Sequence, residues 1–354
     1  MTQQLQAVNR DWLSSSQQQA KFLDKAKILL AKLKRKATWE YKEASSLPSK
    51  LAGSFAKVPF IEKNILYPRY IQSLKNHESK LPTLDSRDLR IVEELEKTGI
   101  YMTSLESLGI PNTQKFLKAA KKIQETLAQN TSLSTPKASP TILATPEQLM
   151  EYPEIFYWGL EERLLKIAER YLGVPVAYDG ILFTLSLADG REHGVRVWHR
   201  DQEDRRMLRV CLYINDVDED GGPFQYLRSK TNELLCNSIQ NKYISVNDEY
   251  LQKLSLSPSS DSTITCTGSA GTVIFVDTAR NFHRGKPPTQ LNRYAVFFTY
   301  FSRRPWHPYF CQRSVLSGQY LDRLTERLPA HQRACVHWTD SLSKLVKWIP
   351  KKLV

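Results

Sequence analysis

His199 and Asp201, in the stretch VWHRDQEDRR (Val197 to Arg206), stand two residues apart, a spacing that can deliver an imidazole and a carboxylate to one metal ion. With 7 histidines in 354 residues, about 0.3 such His-x-Asp patterns arise by chance at ordinary Asp frequency. The spacing acquires meaning only through its setting. Val195 and Val197 suggest a strand running into His199, and residues i and i+2 of a strand share a face. A mononuclear iron site of two histidines and one carboxylate needs one more imidazole. His283, 84 residues on, is the leading candidate, because it follows the apolar run GTVIFVD in TARNFHRG. Ten residues later Arg293 opens the strand RYAVFFTY. A guanidinium facing inward from such a strand requires an anionic partner, since an unpaired buried charge is costly, and it binds a carboxylate with two prongs.

The elements that must carry these residues lie in the second half of the chain. After Gly173 short β-rich runs alternate with Gly, Pro and Asp clusters: 181–188, 195–199, 207–216, 271–277 and 293–301. Strands of this length and spacing predict an antiparallel sandwich or barrel. Upstream, helical spacing predicts helices over 10–45, from about 84 to Gly99, over Thr113 to Ala128 and over Glu154 to Gly173, with a short strand at 100–103. Residues 45–84 read as irregular, with five prolines or glycines, and Asn130 to Gln148 as a Ser/Thr/Pro-rich loop or linker. From Trp306 the chain reads as helical and basic again. There is no detectable internal repeat.

Hydrophobic content of 41% and aromatic content of 10% exclude global disorder. The net charge of +13 favours anionic partners. It is concentrated at the ends: eight basic against two acidic residues from Lys21 to Lys42, and four lysines with no acid in SLSKLVKWIPKKLV. Five cysteines without a CxxC pair fit free thiols in a reducing cytoplasm. The polar start lacks the apolar core of a signal peptide, and no run of about 18 apolar residues is present. GSAGT (268–272) lacks the GK[ST] of a phosphate loop, and there is no GxSxG elbow, no Cys/His zinc spacing and no strong nucleic-acid signature.

The pieces WHRD (198–201), LRVCLYIND (208–216), GGPFQYLRSKT (221–231), GTVIFVDTARNFHRG (271–285) and RYAVFFTY (293–300) resemble the iron(II)- and 2-oxoglutarate-dependent dioxygenases, specifically the phytanoyl-CoA hydroxylase-like branch. The resemblance covers roughly residues 84–304. It implies a mainly antiparallel double-stranded β-helix (jelly roll) with surrounding α-helices, α+β overall. The corresponding domains are a basic helical extension over 1–83, the dioxygenase domain over 84–305 and a basic helical tail over 306–354. It implies His199, Asp201 and His283 as ligands of Fe(II), and Arg293 as the partner of the distal carboxylate of 2-oxoglutarate, with O2 as the oxidant. Relatives often carry Ser two residues after the last histidine; here that position is Gly285, and Thr299 or Thr184 is the candidate replacement hydroxyl. Halogenating relatives carry a small residue in place of the aspartate, so Asp201 implies hydroxylation or a related oxidation.

The expected partner is a small-molecule or carrier-bound acyl substrate, an anionic one being compatible with the basic excess. The basic ends provide for peripheral contact with an anionic membrane. The span 232–266 is expected to form part of a lid. His193 and Arg196, close to the first ligands, are open to contact with substrate or cofactor but are expected to have surface roles; His307 is assigned a structural role, His331 and His337 no ligand role, and Gln202 to Arg206 a solvated turn at the pocket rim. The competing class is a non-enzymatic basic protein that binds anionic membrane or nucleic acid through its terminal helices.

Overall fold

The structure is a computed structural model that describes residues 46–129, 139–311 and 314–349. The predicted 10–45 helix, and with it the basic run Lys21 to Lys42, lies outside the described residues, as do 350–354 of the basic tail.

Nine strands are described: β1 (Ile100–Ser104), β2 (Thr141–Leu143), β3 (Val176–Ser186), β4 (Leu208–Tyr213), β5 (Phe224–Leu227), β6 (Thr263–Cys266), β7 (Thr272–Asp277), β8 (His283–Gly285) and β9 (Arg293–Ser302). Six form one sheet in the order β1-β7-β4-β9-β3-β2, and three form a second in the order β6-β5-β8. All the pairings are antiparallel. A bridge between Val217 and Gly268 adds one further link between the segments that follow β4 and β6.

Strand periodicity divides the core. On β9, Tyr294, Val296, Phe298 and Tyr300 join Ile91, Leu95, Phe116, Ile123, Trp158 and Leu165 in a cluster that mounts the helices on the large sheet. The alternate residue Ala295, with Phe297 beside it, packs with Cys211, Tyr213, Ile274 and Val276 of the large sheet and with Phe224, Tyr226 and Cys266 of the small one. This second layer lies between the sheets, and the polar side chains of interest line it.

The helix Ser86–Thr98 starts at Asp85, whose Oδ1 accepts from the backbone N–H of Arg87 and Asp88, and stops at Gly99 in the left-handed region (φ 84°), which turns the chain directly into β1. Where the sequence predicts one helix over Glu154 to Gly173 there are two, Glu154–Trp158 and Glu162–Leu172. The interruption falls at Gly159, where Tyr178 and Phe298 pack so closely that a Cβ would collide with both, and the Gly159 carbonyl accepts from the Tyr300 hydroxyl at 2.7 Å.

Within the stretch predicted as irregular, 46–78 is largely helical. Helices span 46–56 and Tyr67–Glu78, with a short helical passage over 59–66 between them. Pro59 sits in a first turn, where a missing N–H costs nothing, and Pro68 follows just after the π-helical turn Glu62–Leu66, so that the helical path runs on through it. The predicted linker 130–148 contains β2 and the start of a helix, Pro146–Glu151, closed by a capping box between Thr145 and Gln148.

Gln202 to Arg206 is not a solvated turn either. Glu203 and Asp204 are buried. Asp204 accepts from the Ser302 hydroxyl and backbone N–H, at 2.5 and 2.9 Å. Arg205 forms a two-pronged pair with Glu62 and lies over the rings of Tyr67, Tyr70 and Trp306. Arg206 pairs with Glu96 at 2.6 Å and covers Tyr171. These charges fasten the segment before β4 to the helices at 59–78 and 86–98.

His307 belongs to the same joint. Fully buried and stacked on Trp306, it contacts the Tyr309 hydroxyl at 3.2 Å through Nδ1. Burial, reinforced by the positive charges of Lys57 and Arg205, lowers its pKa to about 3. The folded state therefore holds His307 neutral, whereas the unfolded chain protonates it near 6.5. Its stabilising contribution is complete above that pH and is lost as pH falls from 6.5 towards 3, by up to about 1.4 kcal/mol per pH unit. Urea unfolding from pH 7 to 4 is expected to give a steeper loss of stability for the wild type than for His307→Phe; parallel curves would show that the histidine contributes nothing.

All five cysteines are buried and none is in a disulfide. No helix among the described residues is long and apolar enough to cross a membrane.

Candidate metal centre and carboxylate pocket

His199, Asp201 and His283 come together: one ligand atom from each lies within 4.8 Å of the others. Their convergence is built by backbone pairing. The N–H of His199 donates to the His283 carbonyl at 3.0 Å and the N–H of His283 returns the bond at 2.9 Å. The Asp201 N–H donates to the Thr278 carbonyl at 3.0 Å. The predicted strand 195–199 is instead a 3-10 turn, Gly194–Arg196, followed by isolated bridges at Trp198 and His199. Alternation at those two bridges still points His199 away from Trp198, which is buried in an apolar cluster of its own.

The imidazoles are oriented for ligation. His199 Nδ1 lies 2.8 Å from the Val197 carbonyl and His283 Nδ1 lies 3.2 Å from the Asn281 carbonyl. A carbonyl only accepts, so each Nδ1 carries the proton and each Nε2 keeps its lone pair. The rings face one another with centroids 4.3 Å apart, and His283 stacks on Phe224. Burial, then the neighbouring His199 and also Arg209, lowers the His283 pKa to about 3, against the opposing pull of Asp201. Neutral imidazole is the form a metal binds. Two such nitrogens and one carboxylate suit a divalent first-row ion and leave coordination positions open.

Arg293 opens β9 opposite Ser186 of β3, only 4% exposed. Its Nη1 donates to the Gly222 carbonyl, its Nε has no hydrogen-bond partner, and no carboxylate pairs with it among the described residues. Gly285 makes room for it: a Cβ there would overlap Nη2 and lie 3.1 Å from Nη1 and 3.2 Å from Cζ. The guanidinium thus occupies the space where relatives were expected to place a serine. Gly285→Ala displaces a side-chain tip rather than backbone, so it is expected to change unfolding stability by less than about 1 kcal/mol. Its effect should fall on carboxylate binding: calorimetry with the metal-loaded protein should show about tenfold weaker 2-oxoglutarate binding. Unchanged affinity would mean that the guanidinium position is not critical.

Thr184 and Thr299 are both buried, on different strands of the large sheet. Thr184 pairs with Ala295, near Arg293, and its hydroxyl donates to the Ala295 carbonyl at 3.1 Å. Thr299 pairs with Arg209 of β4. Six residues of strand, roughly 20 Å, separate it from Arg293, so it is not placed to assist that arginine. Ser186, directly across from Arg293, is the nearer hydroxyl, and it accepts from Arg196 Nε at 3.2 Å.

Arg196 is not a surface residue. It is fully buried and bonds Asp189 and the carbonyls of Pro140 and Leu187, which ties β2, the end of β3 and the loop before the metal ligands. His193 is exposed. His331 pairs with Glu162 and His337 with Thr325, away from the triad. The 232–266 span contributes the helix Asp248–Lys253; Asp248 accepts from Trp198 Nε1 at 2.8 Å and pairs with Arg284 at 2.9 Å, beside His283.

Arg209 escaped the sequence reading. Its Nε lies 3.0 Å from Asp201 Oδ2, an ion pair off the line of a hydrogen bond. The signal was present: a cation at an inward position of an otherwise apolar strand, the logic that selects Arg293.

No family model matches the chain, and no curated protein matches it. Among solved structures it is similar to the epimerase SnoN in complex with Fe3+, alpha ketoglutarate and nogalamycin RO (16% identity over 62% of this chain and 87% of that one, TM-score 0.44). It is similar also to HygX from Streptomyces hygroscopicus with nickel and 2-oxoglutarate bound (14%, 62% and 88%, TM-score 0.40). A third is EctD from S. alaskensis with bound Fe (15%, 66% and 86%, TM-score 0.42).

Proposed function

We propose that this chain is an iron(II)- and 2-oxoglutarate-dependent dioxygenase of the phytanoyl-CoA hydroxylase-like kind. It oxidises a C–H bond of a small-molecule or carrier-bound acyl substrate and releases succinate and CO2, with 84–305 as a jelly-roll catalytic unit. The observation that carries this reading is a conjunction. Two histidines whose Nδ1 atoms face backbone carbonyls and a buried aspartate share a layer with a buried, carboxylate-free guanidinium seated against a glycine.

Iron(II) in this site would supply oxygen activation coupled to decarboxylation of the oxo acid. The residues supply the rest. The carbonyls of Val197 and Asn281 fix the tautomers of His199 and His283. Asp201 provides the anionic donor, and Arg293 holds the far carboxylate of 2-oxoglutarate. The apolar layer of Phe224, Cys211 and Ala295 excludes water from the reacting atoms. Five buried thiols free of disulfides accord with a reducing cytoplasm.

Anaerobic titration with iron(II) and then 2-oxoglutarate should give a visible charge-transfer band, and aerobic incubation should form succinate. Protein that retains neither iron nor 2-oxoglutarate refutes the reading.

A further inference from the structure

Arg209 sits on β4, a central strand of the large sheet, between the fully buried Leu208 and Val210. Its side chain nevertheless stays 13% exposed. Only Nε engages a protein carboxylate, that of Asp201, and neither terminal nitrogen has a hydrogen-bond partner among the described residues. Arg293 enters the same layer from the other end of β9. Cys211 lies between them: burial pushes its thiol up to about 12, and the positive fields of both arginines oppose that rise.

The charges of this layer do not close on the cofactors alone. Arg209 and Arg293 bring two positive charges and Asp201 one negative. A divalent metal adds two positives and 2-oxoglutarate two negatives, which leaves one positive charge at the partly exposed end of Arg209, and a substrate that displaces water from that end would have to compensate it. The forked, open end of Arg209 is the group with unused donors beside the metal carboxylate.

We propose that Arg209 is a substrate-binding residue and that the substrate presents a carboxylate to it, close to the metal. The inference rests on the functional reading above and narrows its substrate class to organic acids.

The test uses full-length protein loaded with manganese(II), which broadens the NMR lines of nearby protons, and saturated with 2-oxoglutarate. The probes are hexanoate and benzoate, each against its primary amide. The carboxylates should broaden about tenfold more than the amides, as expected of a charge-assisted fork. With manganese kept saturating for each variant, Arg209→Met should erase the difference and Arg209→Lys retain part of it. Equal broadening of acids and amides, or a difference that survives Arg209→Met, overturns the proposal. So does a tenfold or greater loss of 2-oxoglutarate affinity in Arg209→Met, because the guanidinium would then serve the cosubstrate. Wild-type protein that takes up neither manganese nor 2-oxoglutarate refutes the functional reading and this proposal with it, an outcome visible before any probe is added.

Discussion

Asp201→Asn is expected to abolish retention of a divalent metal while leaving a folded protein. The substitution keeps the side chain's shape and removes its charge, which is the one anionic donor in the triad. Two neutral imidazoles remain, too few to hold a first-row ion against water. The loss should exceed the roughly 10–100-fold that follows removal of an outer-shell partner. The substitution also leaves Arg209 without its carboxylate. Because the Arg209 side chain keeps 13% of its surface exposed, the destabilisation should stay near 1–3 kcal/mol, the range for a polar group stripped of its partner. Equilibrium dialysis against zinc or manganese measures the first effect and urea unfolding of the apo-protein the second. Metal retained at wild-type affinity would remove Asp201 from the coordination sphere.

The same residues show what a sequence can disclose about such a site. His199, Asp201 and His283 were legible because ligand chemistry is restricted to few residue types and because β7 is an unbroken apolar run that ends just before His283. The manner of their convergence was not. β8 has three residues and His199 is held to it by a single bridge, so no periodicity announces either. Alternation tells which face a residue takes but not which strand lies across from it. Thr299 is therefore on the predicted face, yet its register places it beside Arg209. Charge patterning misled in the opposite sense. Gln202 to Arg206 has the composition of a solvated turn, but its partners Glu62, Glu96, Tyr67, Tyr70 and Tyr171 lie up to 143 residues away. Burial of a charged run depends on such distant partners, and local composition carries no record of them. The helices at 46–56 and Tyr67–Glu78 were missed because prolines were read as breakers, although Pro59 opens a helical turn and Pro68 is carried within the helical path that continues from it.

Arg293→Met carries the second large effect, and its value lies in a pair of opposite signs. A structural arginine, bonded to several protein acceptors, destabilises the fold when it is removed. Arg293 has one acceptor, the Gly222 carbonyl, while its Nε is unsatisfied and no carboxylate offsets its charge among the described residues. In the ligand-free protein this buried charge is a burden, so an apolar side chain of similar length should leave stability unchanged or raise it. Binding should respond in the other direction. Truncating one partner of a buried, hydrogen-bonded charge pair costs about 2–5 kcal/mol, or roughly 30- to 5,000-fold in 2-oxoglutarate affinity. Arg293→Lys should recover only part of that loss, since an ammonium keeps the charge but not the fork. Metal retention should not change, because the triad stands on β8 and the segment before β4 rather than on β9. Calorimetric titration of the metal-loaded variants with 2-oxoglutarate, set beside urea unfolding of the apo-proteins, separates the two roles. A variant that loses stability and keeps its affinity would make Arg293 a structural residue, and the buried guanidinium would then need a protein partner to explain it.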